Sequence, residues 1–199
     1  MKLTFINIHM KAYCINLPER TDRWKLTVQE FTKTDFELVR FEGVKGSPGW
    51  AGCRDSHLKL LSEIRDQVFM ICEDDIVFHT EIKNLLPVVM GQLKDWDMLY
   101  LGATLNSPLK MYSENLYRLE NAWTTHAIIY NNHRVVNYIL QNKENIRKID
   151  VFFLHEIQDK FNCFVTYPML ATQRPGHSDV INKYTDYAAI EINYKKYIS

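Results

Sequence analysis

Three consecutive acids, Glu73, Asp74 and Asp75, directly follow the apolar run of residues 68–72. The β-branched and aromatic residues of that run predict a buried strand, and strand ends at this edge of open α/β sheets are where ligands bind. Crowded carboxylates repel one another and are stabilised by a cation, for which oxygen ligands favour Mg²⁺ or Mn²⁺. The alternative is a solvated loop in which one acid caps the next helix.

The segments around these acids alternate between strand-like and helix-like patterns. Residues 12–17, 36–41, 96–101, 127–130 and 164–167 predict strands, and helical stripes separate several of them. Glycines and a proline in 43–52 predict a loop whose backbone can approach a ligand, with Ser56 as the N-cap of the next helix. Residues 103–118 are predicted to be a loop, and 184–198 either a helix or a loosely docked tail. The fold class is therefore α/β, with a mostly parallel sheet flanked by helices in one domain.

The composition excludes several classes of protein. The chain has 199 residues, 46% apolar, with 24 basic and 24 acidic residues and no long like-charge run, so neither nucleic acid nor a membrane surface is an expected partner. The four cysteines, at 14, 53, 72 and 163, are too widely spaced for a zinc motif and are interpreted as reduced and structural. Residues 3–9 hold no cleavage pattern, and no apolar run is long enough to span a membrane, so a soluble cytoplasmic protein is expected.

Several segments, taken in order, resemble glycosyltransferase family 25, which includes bacterial lipooligosaccharide sugar transferases and collagen galactosyltransferases. Residues 52–57 resemble its Gly-Cys-x-x-Ser-His signature, and residues 71–76 its hydrophobic-Glu-Asp-Asp-hydrophobic signature. The opening strand with Asn16 and Arg23, the acid at Asp150 and the Ser-Asp-Val at 178–180 resemble further family elements. The resemblance covers about residues 12–181.

The resemblance implies a GT-A-like fold that moves a sugar from a UDP-linked donor to a hydroxyl of a glycan or glycoconjugate, with inversion. A divalent cation, Mn²⁺ or Mg²⁺, would stabilise the charge that develops on the leaving diphosphate. Successive strand residues alternate in direction, so Glu73 and Asp75 are expected on one side and Asp74 on the other, with Asp75 the preferred ligand.

The same resemblance implies roles for other residues. The metal ligands would be Asp75, Glu73 and His177. Donor-binding residues would be Asn16, Arg23, Glu42, Gly43, Arg54, Ser56, His57 and Asp74. The catalytic acids would be Asp150, as base or second metal ligand, and Asp179, with His177 and Glu156 also open as the base. Residues 1–102 would form the nucleotide-sugar half and 103–199 the acceptor half.

Two other functions compete with sugar transfer. The acids at 74, 75, 150 and 179 are compatible with a two-metal phosphoryl-transfer site, although the neutral net charge argues against a polyanionic substrate. A non-catalytic sugar-binding module of the same fold is the second alternative.

Overall fold

The computed structural model describes residues 10–131 and 133–198; residues 3–9, predicted to hold no cleavage pattern, lie outside this part. The strands are β1 (Lys11–Asn16), β2 (Glu37–Glu42), β3 (Phe69–Glu73), β4 (Ile76–Phe78), β5 (Met98–Tyr100), β6 (Thr104–Leu105), β7 (Lys110–Ser113), β8 (Leu116–Arg118), β9 (Ala122–Trp123), β10 (Ala127–Tyr130), β11 (Cys163–Thr166), β12 (Ala171–Gln173), β13 (Gly176–Ser178) and β14 (Lys183–Thr185). The helices are α1 (Thr21–Phe31), α2 (Gly49–Glu63), α3 (Ile82–Gln92), α4 (His133–Gln141), α5 (Ile149–Phe152), α6 (Gln158–Lys160) and α7 (Ala188–Tyr197). A π-helical turn, Phe153–Ile157, joins α5 to α6.

The main sheet has eight strands in the order β2-β1-β3-β10-β5-β11-β8-β7. The pairings make β10 and β8 antiparallel to their neighbours, and the other six strands run in one direction. Strands from both halves of the chain alternate in this one sheet. The predicted single-domain α/β fold with a mostly parallel sheet is therefore confirmed.

Each face of the sheet is covered by its own apolar cluster. Along β3, Phe69 and Ile71 pack on the face that is covered by α2, α4 and α5, whereas Met70 and Cys72 pack on the face that is covered by α1 and α3. This alternation follows from the two-residue period of a strand. Because β3 is buried on both faces, its side chains can be apolar at every position until Glu73 at its carboxyl end.

Two local predictions are wrong. The segment 103–118 contains the short strands β6, β7 and β8, and β8 joins the main sheet through β11, a long-range pairing that no local pattern reveals. Ser56 is not an N-cap, because α2 begins about two turns earlier, at Gly49, with Pro48 at the N-cap position. Its Oγ instead donates to the carbonyl of Gly52 at 2.7 Å and accepts from the amide of Val44 at 2.7 Å, which ties the preceding loop to the helix.

The C-terminal segment is a docked helix rather than a loose tail. Tyr194 of α7 is buried and its hydroxyl donates to the carbonyl of Thr166. Ile198 is also buried, and its carbonyl accepts from the hydroxyl of Tyr117 at 3.3 Å. In the part of the chain that the structure describes, no helix has the length and apolar character needed to cross a membrane.

Candidate active site

A cavity of about 360 Å³ opens at the carboxyl ends of β1 and β3 and is called the first cavity here. Its walls come from the start of α1, the loop after β2, one face of α2 and the segment 178–180. The loop after β2 is held close to α2, since a Cβ on Gly46 would lie 2.1 Å from the amide nitrogen of Gly52. The predicted glycine-rich loop therefore brings its backbone close to this wall, and Lys45 of the same loop also lines it.

The carboxylate of Asp74 is fully engaged with protein groups. One oxygen accepts from Nδ2 of Asn16 at 2.6 Å and the other from Nη1 of Arg23 at 2.8 Å. Its backbone carbonyl accepts from the hydroxyl of Thr27 at 3.0 Å. Asp74 thus anchors α1 to the end of β3, and its oxygens are used in doing so.

Glu73 and Asp75 are enclosed acids with weaker partners. Burial, followed by repulsion from Asp75, raises the pKa of Glu73 to about 8. Burial also raises the pKa of Asp75 to about 6, against the opposing effect of Arg23, which lies 3.8 Å away. Gln173 donates only long hydrogen bonds, of 3.3 and 3.4 Å, to the carboxylate of Asp75. Glu73 and Asp75 therefore repel each other when both are charged, and among the described residues Arg23 is the cation that partly offsets this.

A second cavity of about 270 Å³ adjoins the first and is lined by Asp150, Trp50 and Lys148. Five residues line both cavities: Cys53, Glu73, Ser178, Val180 and Tyr187. Burial, then the charges of Asp75 and Glu73, raise the pKa of Tyr187 to about 12. Glu73 therefore stands at the junction of two adjoining cavities, with the Tyr187 hydroxyl beside it.

A strained turn fixes the carboxylate of Glu73 from the second cavity's side. Thr125 donates from Oγ1 to Oε1 of Glu73 at 3.1 Å. The preceding residue, Thr124, has φ of 84°, a conformation that β-branched residues rarely adopt. Its hydroxyl lies 3.1 Å from Nδ1 of buried His126, which helps to hold this conformation. Strain of this kind is found where a functional group must be placed accurately.

Three cationic side chains, Arg20, Arg23 and Lys45, line the first cavity. Arg23 donates to the carbonyl of His177, and Arg20 pairs with Asp179. Both contacts hold the hairpin of β13 and β14, residues 176–185, over the cavity mouth; we call it the covering hairpin. Below it, a Cβ on Gly49 would lie 2.1 Å from the carbonyl oxygen of Asp179, so the hairpin backbone rests directly on the start of α2.

A profile of the family described as "Glycosyltransferase family 25 (LPS biosynthesis protein)" matches residues 47–150, more than half of the chain. The chain belongs to glycosyltransferase family 25. The matched stretch contains both signatures on which the resemblance rested, and the general activity of this family 25 protein is sugar transfer from a nucleotide-sugar donor to a glycan acceptor. Family membership also carries the GT-A-like fold class that the sequence predicted. No curated protein matches the sequence significantly.

Solved structures that resemble this family 25 chain do so at low sequence identity. A197 from STIV gives a TM-score of 0.49 with 11% identity, over 89% of this chain and 93% of that one. A glycosyltransferase involved in glycosylation of the major capsid of PBCV-1 gives 0.49 with 8% identity, over 94% and 99%. The glycosyltransferase GlyE of Streptococcus pneumoniae TIGR4 gives 0.49 with 7% identity, and this chain spans 61% of its length.

The predicted site residues of this family 25 protein fall into two groups. The cavity-lining group contains Arg23, Gly43, Ser56, His57, Glu73, Asp74, Asp75, Asp150 and Asp179. The remaining four, Asn16, Glu42, Arg54 and His177, line neither cavity. Asn16 is buried behind the site, where it donates to Asp74 and accepts from Arg40 at 2.9 Å.

The other three side chains point away from the carboxylates. Glu42 is exposed at the end of β2. Arg54 pairs with Asp55 at 2.7 Å and lies over the ring of Trp50, instead of entering the first cavity. His177 is exposed and its Nε2 lies 3.1 Å from Asn182, so it is not brought to Glu73 or Asp75 as a ligand. Glu156, open as a base, pairs with Lys160 at 2.6 Å outside both cavities.

Sequence reasoning missed residues that reach the family 25 site through tertiary contacts. Thr125 and Gln173 contact Glu73 and Asp75, and Tyr187 lines both cavities. Cys53, interpreted from sequence as structural, is a free thiol that also lines both cavities. The position of Thr125 next to Trp123 and His126 in a polar break before β10 was the only local signal.

Proposed function

We propose that this chain transfers a sugar from a UDP-linked donor to a hydroxyl group of a glycan or glycoconjugate, with inversion and with help from Mn²⁺ or Mg²⁺. The donor occupies the first cavity and the acceptor the second. The division predicted from sequence, a donor half at 1–102 and an acceptor half at 103–199, is retained with one change. The covering hairpin and Tyr187, from the second half, contribute to both cavities.

The observation that carries this proposal is the placement of Glu73 and Asp75. Glu73 lines both cavities, so it lies where a donor in one would meet an acceptor in the other. The two acids repel each other in an enclosed setting, which costs free energy unless a cation or protons compensate. A transferase that must bind a nucleotide diphosphate needs a positive charge at this point.

The residues present fit a divalent cation. Asp75 and Glu73 offer carboxylate oxygens with only long or single hydrogen bonds, which suits Mn²⁺ or Mg²⁺. Asp74 is assigned a structural role and not that of a metal ligand, because both its oxygens already accept hydrogen bonds from Asn16 and Arg23. When bound, such an ion supplies electrostatic stabilisation of a leaving diphosphate.

Three cationic side chains that line the first cavity support diphosphate binding there. Arg20, Arg23 and Lys45 each carry a proton donor there, and Gly43 and Gly46 expose backbone beside them. The pair Lys45–Glu19, at 2.6 Å, is exposed, so an incoming phosphate can replace its carboxylate at low cost. We assign Asp179 to holding the covering hairpin, since its carboxylate is engaged by Arg20.

Asp150 is the proposed base for the acceptor hydroxyl. It lines the second cavity at the start of α5, and one oxygen accepts from the amide of Val151 at 2.8 Å, which fixes the carboxylate. The other oxygen is available to a hydroxyl. Trp50 lines the same cavity, and the guanidinium groups of Arg54 and Arg147 lie over its ring.

The test is a thermal-shift panel of nucleoside diphosphates and UDP-sugars, each with and without Mn²⁺. A ligand that binds only the folded state raises Tm by mass action, and we expect the uridine nucleotides to do so only with the ion. Release of UDP from the matching UDP-sugar is then measured for wild type, Asp75→Asn and Asp150→Asn. The absence of an ion-dependent shift with every nucleotide, or normal turnover in both variants, would overturn the proposal.

A further inference from the structure

A thiol, an imidazole and a carboxylate meet on the inner wall of the first cavity. The ligand atoms of Cys53, His57 and Glu73 all lie within 4.8 Å of one another. Cys53 and His57 are four residues apart in α2, so they project from the same face of that helix, and Glu73 reaches them from the end of β3. All three residues line the first cavity. Asp75 is not a member of this group.

His57 supplies a second and independent observation. The side chain is completely buried, and neither ring nitrogen has a hydrogen-bond partner among residues 10–131 and 133–198. Buried polar side-chain atoms nearly always have a partner, and an exception is explained by an ordered water or an ion. One ring nitrogen of His57 is among the clustered ligand atoms, so the missing partner belongs between His57, Cys53 and Glu73.

The donor set selects the kind of ion. Sulfur and imidazole nitrogen favour Zn²⁺ over Mn²⁺ or Mg²⁺, which take oxygen ligands. Around tetrahedral zinc, with bonds of about 2.0–2.3 Å, neighbouring ligand atoms stand roughly 3.5 Å apart. The three ligand atoms lie within 4.8 Å of one another, so small side-chain rotations can bring them to this spacing. Three protein ligands with a cavity on the fourth side match the pattern of an open zinc site.

We propose that Cys53, His57 and Glu73 form a zinc-binding site that shares Glu73 with the carboxylate site of the transfer reaction and does not include Asp75. Binding forms a Zn–S bond, and the thiol proton leaves to solvent, without oxidation or reduction of either partner. The inference goes beyond the proposed function and does not require it, because the three side chains need neither donor sugar nor acceptor. Glu73 belongs to both ligand sets, so zinc at this site withdraws one carboxylate from the hard cation.

The test uses Co²⁺ as a spectroscopic replacement for Zn²⁺ on metal-free full-length protein. We expect one equivalent of Co²⁺ to give a thiolate-to-metal charge-transfer band and tetrahedral d–d absorption, both removed by one equivalent of Zn²⁺. Cys53→Ser should abolish the charge-transfer band, and His57→Gln should weaken Zn²⁺ binding at least tenfold. Asp75→Asn is the matched control and should keep the band, while it loses the Mn²⁺-dependent nucleotide shift.

A second measurement keeps the outcome clear if a variant does not fold. In wild-type protein, Zn²⁺ should protect Cys53 from alkylation, mapped by peptide mass spectrometry against buried Cys163. The absence of a charge-transfer band in wild type, its persistence in folded Cys53→Ser, or unchanged alkylation with Zn²⁺ would each overturn the zinc site. None of these results bears on Mn²⁺ binding by Asp75, so the two proposals fail separately.

Discussion

Thr125 holds the carboxylate of Glu73 by a hydrogen bond of 3.1 Å between Oγ1 and Oε1, directly after a residue with left-handed backbone. Thr124 supplies that backbone, at a cost of roughly 1–3 kcal/mol for a non-glycine residue. This cost is tolerated because the turn directs the Thr125 hydroxyl towards the carboxylate of Glu73. The position of Glu73 is thus set by a neighbour that its own strand does not provide.

Replacing Thr125 by valine should therefore affect turnover more than stability. Thr125→Val keeps the shape of the side chain but removes the donor, so the free energy of unfolding should fall by only about 1 kcal/mol. We expect UDP release to fall about 10-fold or more, with little change in donor KM, because Glu73 loses its orientation. Thr172→Val, which lines a different cavity that the acids do not line, is the control and should turn over normally. Equal effects of the two substitutions would contradict this role of Thr125.

The raised pKa values of the acids predict an unusual dependence of stability on pH. Between the unfolded value of 4.5 and the folded value of about 8, Glu73 binds more proton in the folded state. The free energy of unfolding of metal-free protein should therefore be highest near pH 5 and fall as the pH rises to 8. Asp75, raised to about 6, adds to the same trend at its lower end.

Urea unfolding in chelator across pH 5–8 measures this trend. Glu73→Gln should flatten it, whereas Glu156→Gln, outside both cavities, should leave the slope unchanged. Mn²⁺ should restore stability at pH 8 in wild type, since the ion replaces the protons. A stability that rises with pH in metal-free protein would show that the two acids are not held in a repulsive pair.

Substitutions at the adjacent residues Asp74 and Asp75 should have different effects, the first on stability and the second on ligand binding. Asp74→Ala leaves Arg23 and Asn16 without their shared acceptor, and breaking such an enclosed pair should cost about 3 kcal/mol. Asp75→Asn removes a repelling charge and should leave metal-free stability unchanged or higher, while turnover falls at least 100-fold.

Chemical unfolding, Mn²⁺ titration and UDP release on the two variants check this contrast. The Asp74→Ala protein that remains folded should still bind Mn²⁺. If Asp74→Ala abolishes ion binding and Asp75→Asn does not, the assignment of the two acids is reversed.

Gly49 should be intolerant of a side chain because of the covering hairpin. In Gly49→Ala the new methyl group would meet the carbonyl oxygen of Asp179 at 2.1 Å, so the hairpin must move. We expect faster proteolytic cleavage within 176–185 and weaker donor binding. Gly91→Ala is the matched control, because a Cβ there has no atom of the described residues within 4 Å. Because position 91 lies within α3, Gly91→Ala should stabilise the protein by roughly 0.5–1 kcal/mol. Similar protease patterns for both variants would argue against contact between hairpin and helix in solution.

What the sequence could predict follows from how local each signal is. The buried strand that ends in three acids is encoded by consecutive residues, and so is the glycine-rich loop. Both could therefore be predicted from the sequence, and both line the site. Thr125 and Tyr187 are separated from Glu73 by 52 or more residues and reach it only through the β3–β10 pairing and the C-terminal segment. No sequence pattern at Glu73 or in its neighbouring residues indicates either contact.

Errors of side-chain direction have a different origin. Arg54 follows Cys53 in α2, and one residue rotates a helix position by about 100°, which carries Arg54 to Trp50 while Cys53 faces the cavity. Glu42 and Gly43 differ by one residue at a strand end, and only Gly43 lines the site. Predicting such directions requires the start of the helix, and an N-cap at Ser56 lies eight residues after the observed N-cap, Pro48.

The covering hairpin also affects how molecules reach the two cavities. Ser178 and Val180 line both cavities, so a single displacement of this hairpin changes access to donor and acceptor together. Its attachments include two arginine contacts at the protein surface, of a kind that dissolved salt weakens. In the proposed reaction the two substrates would therefore share one entrance, and we expect their association rates to respond in parallel to ionic strength.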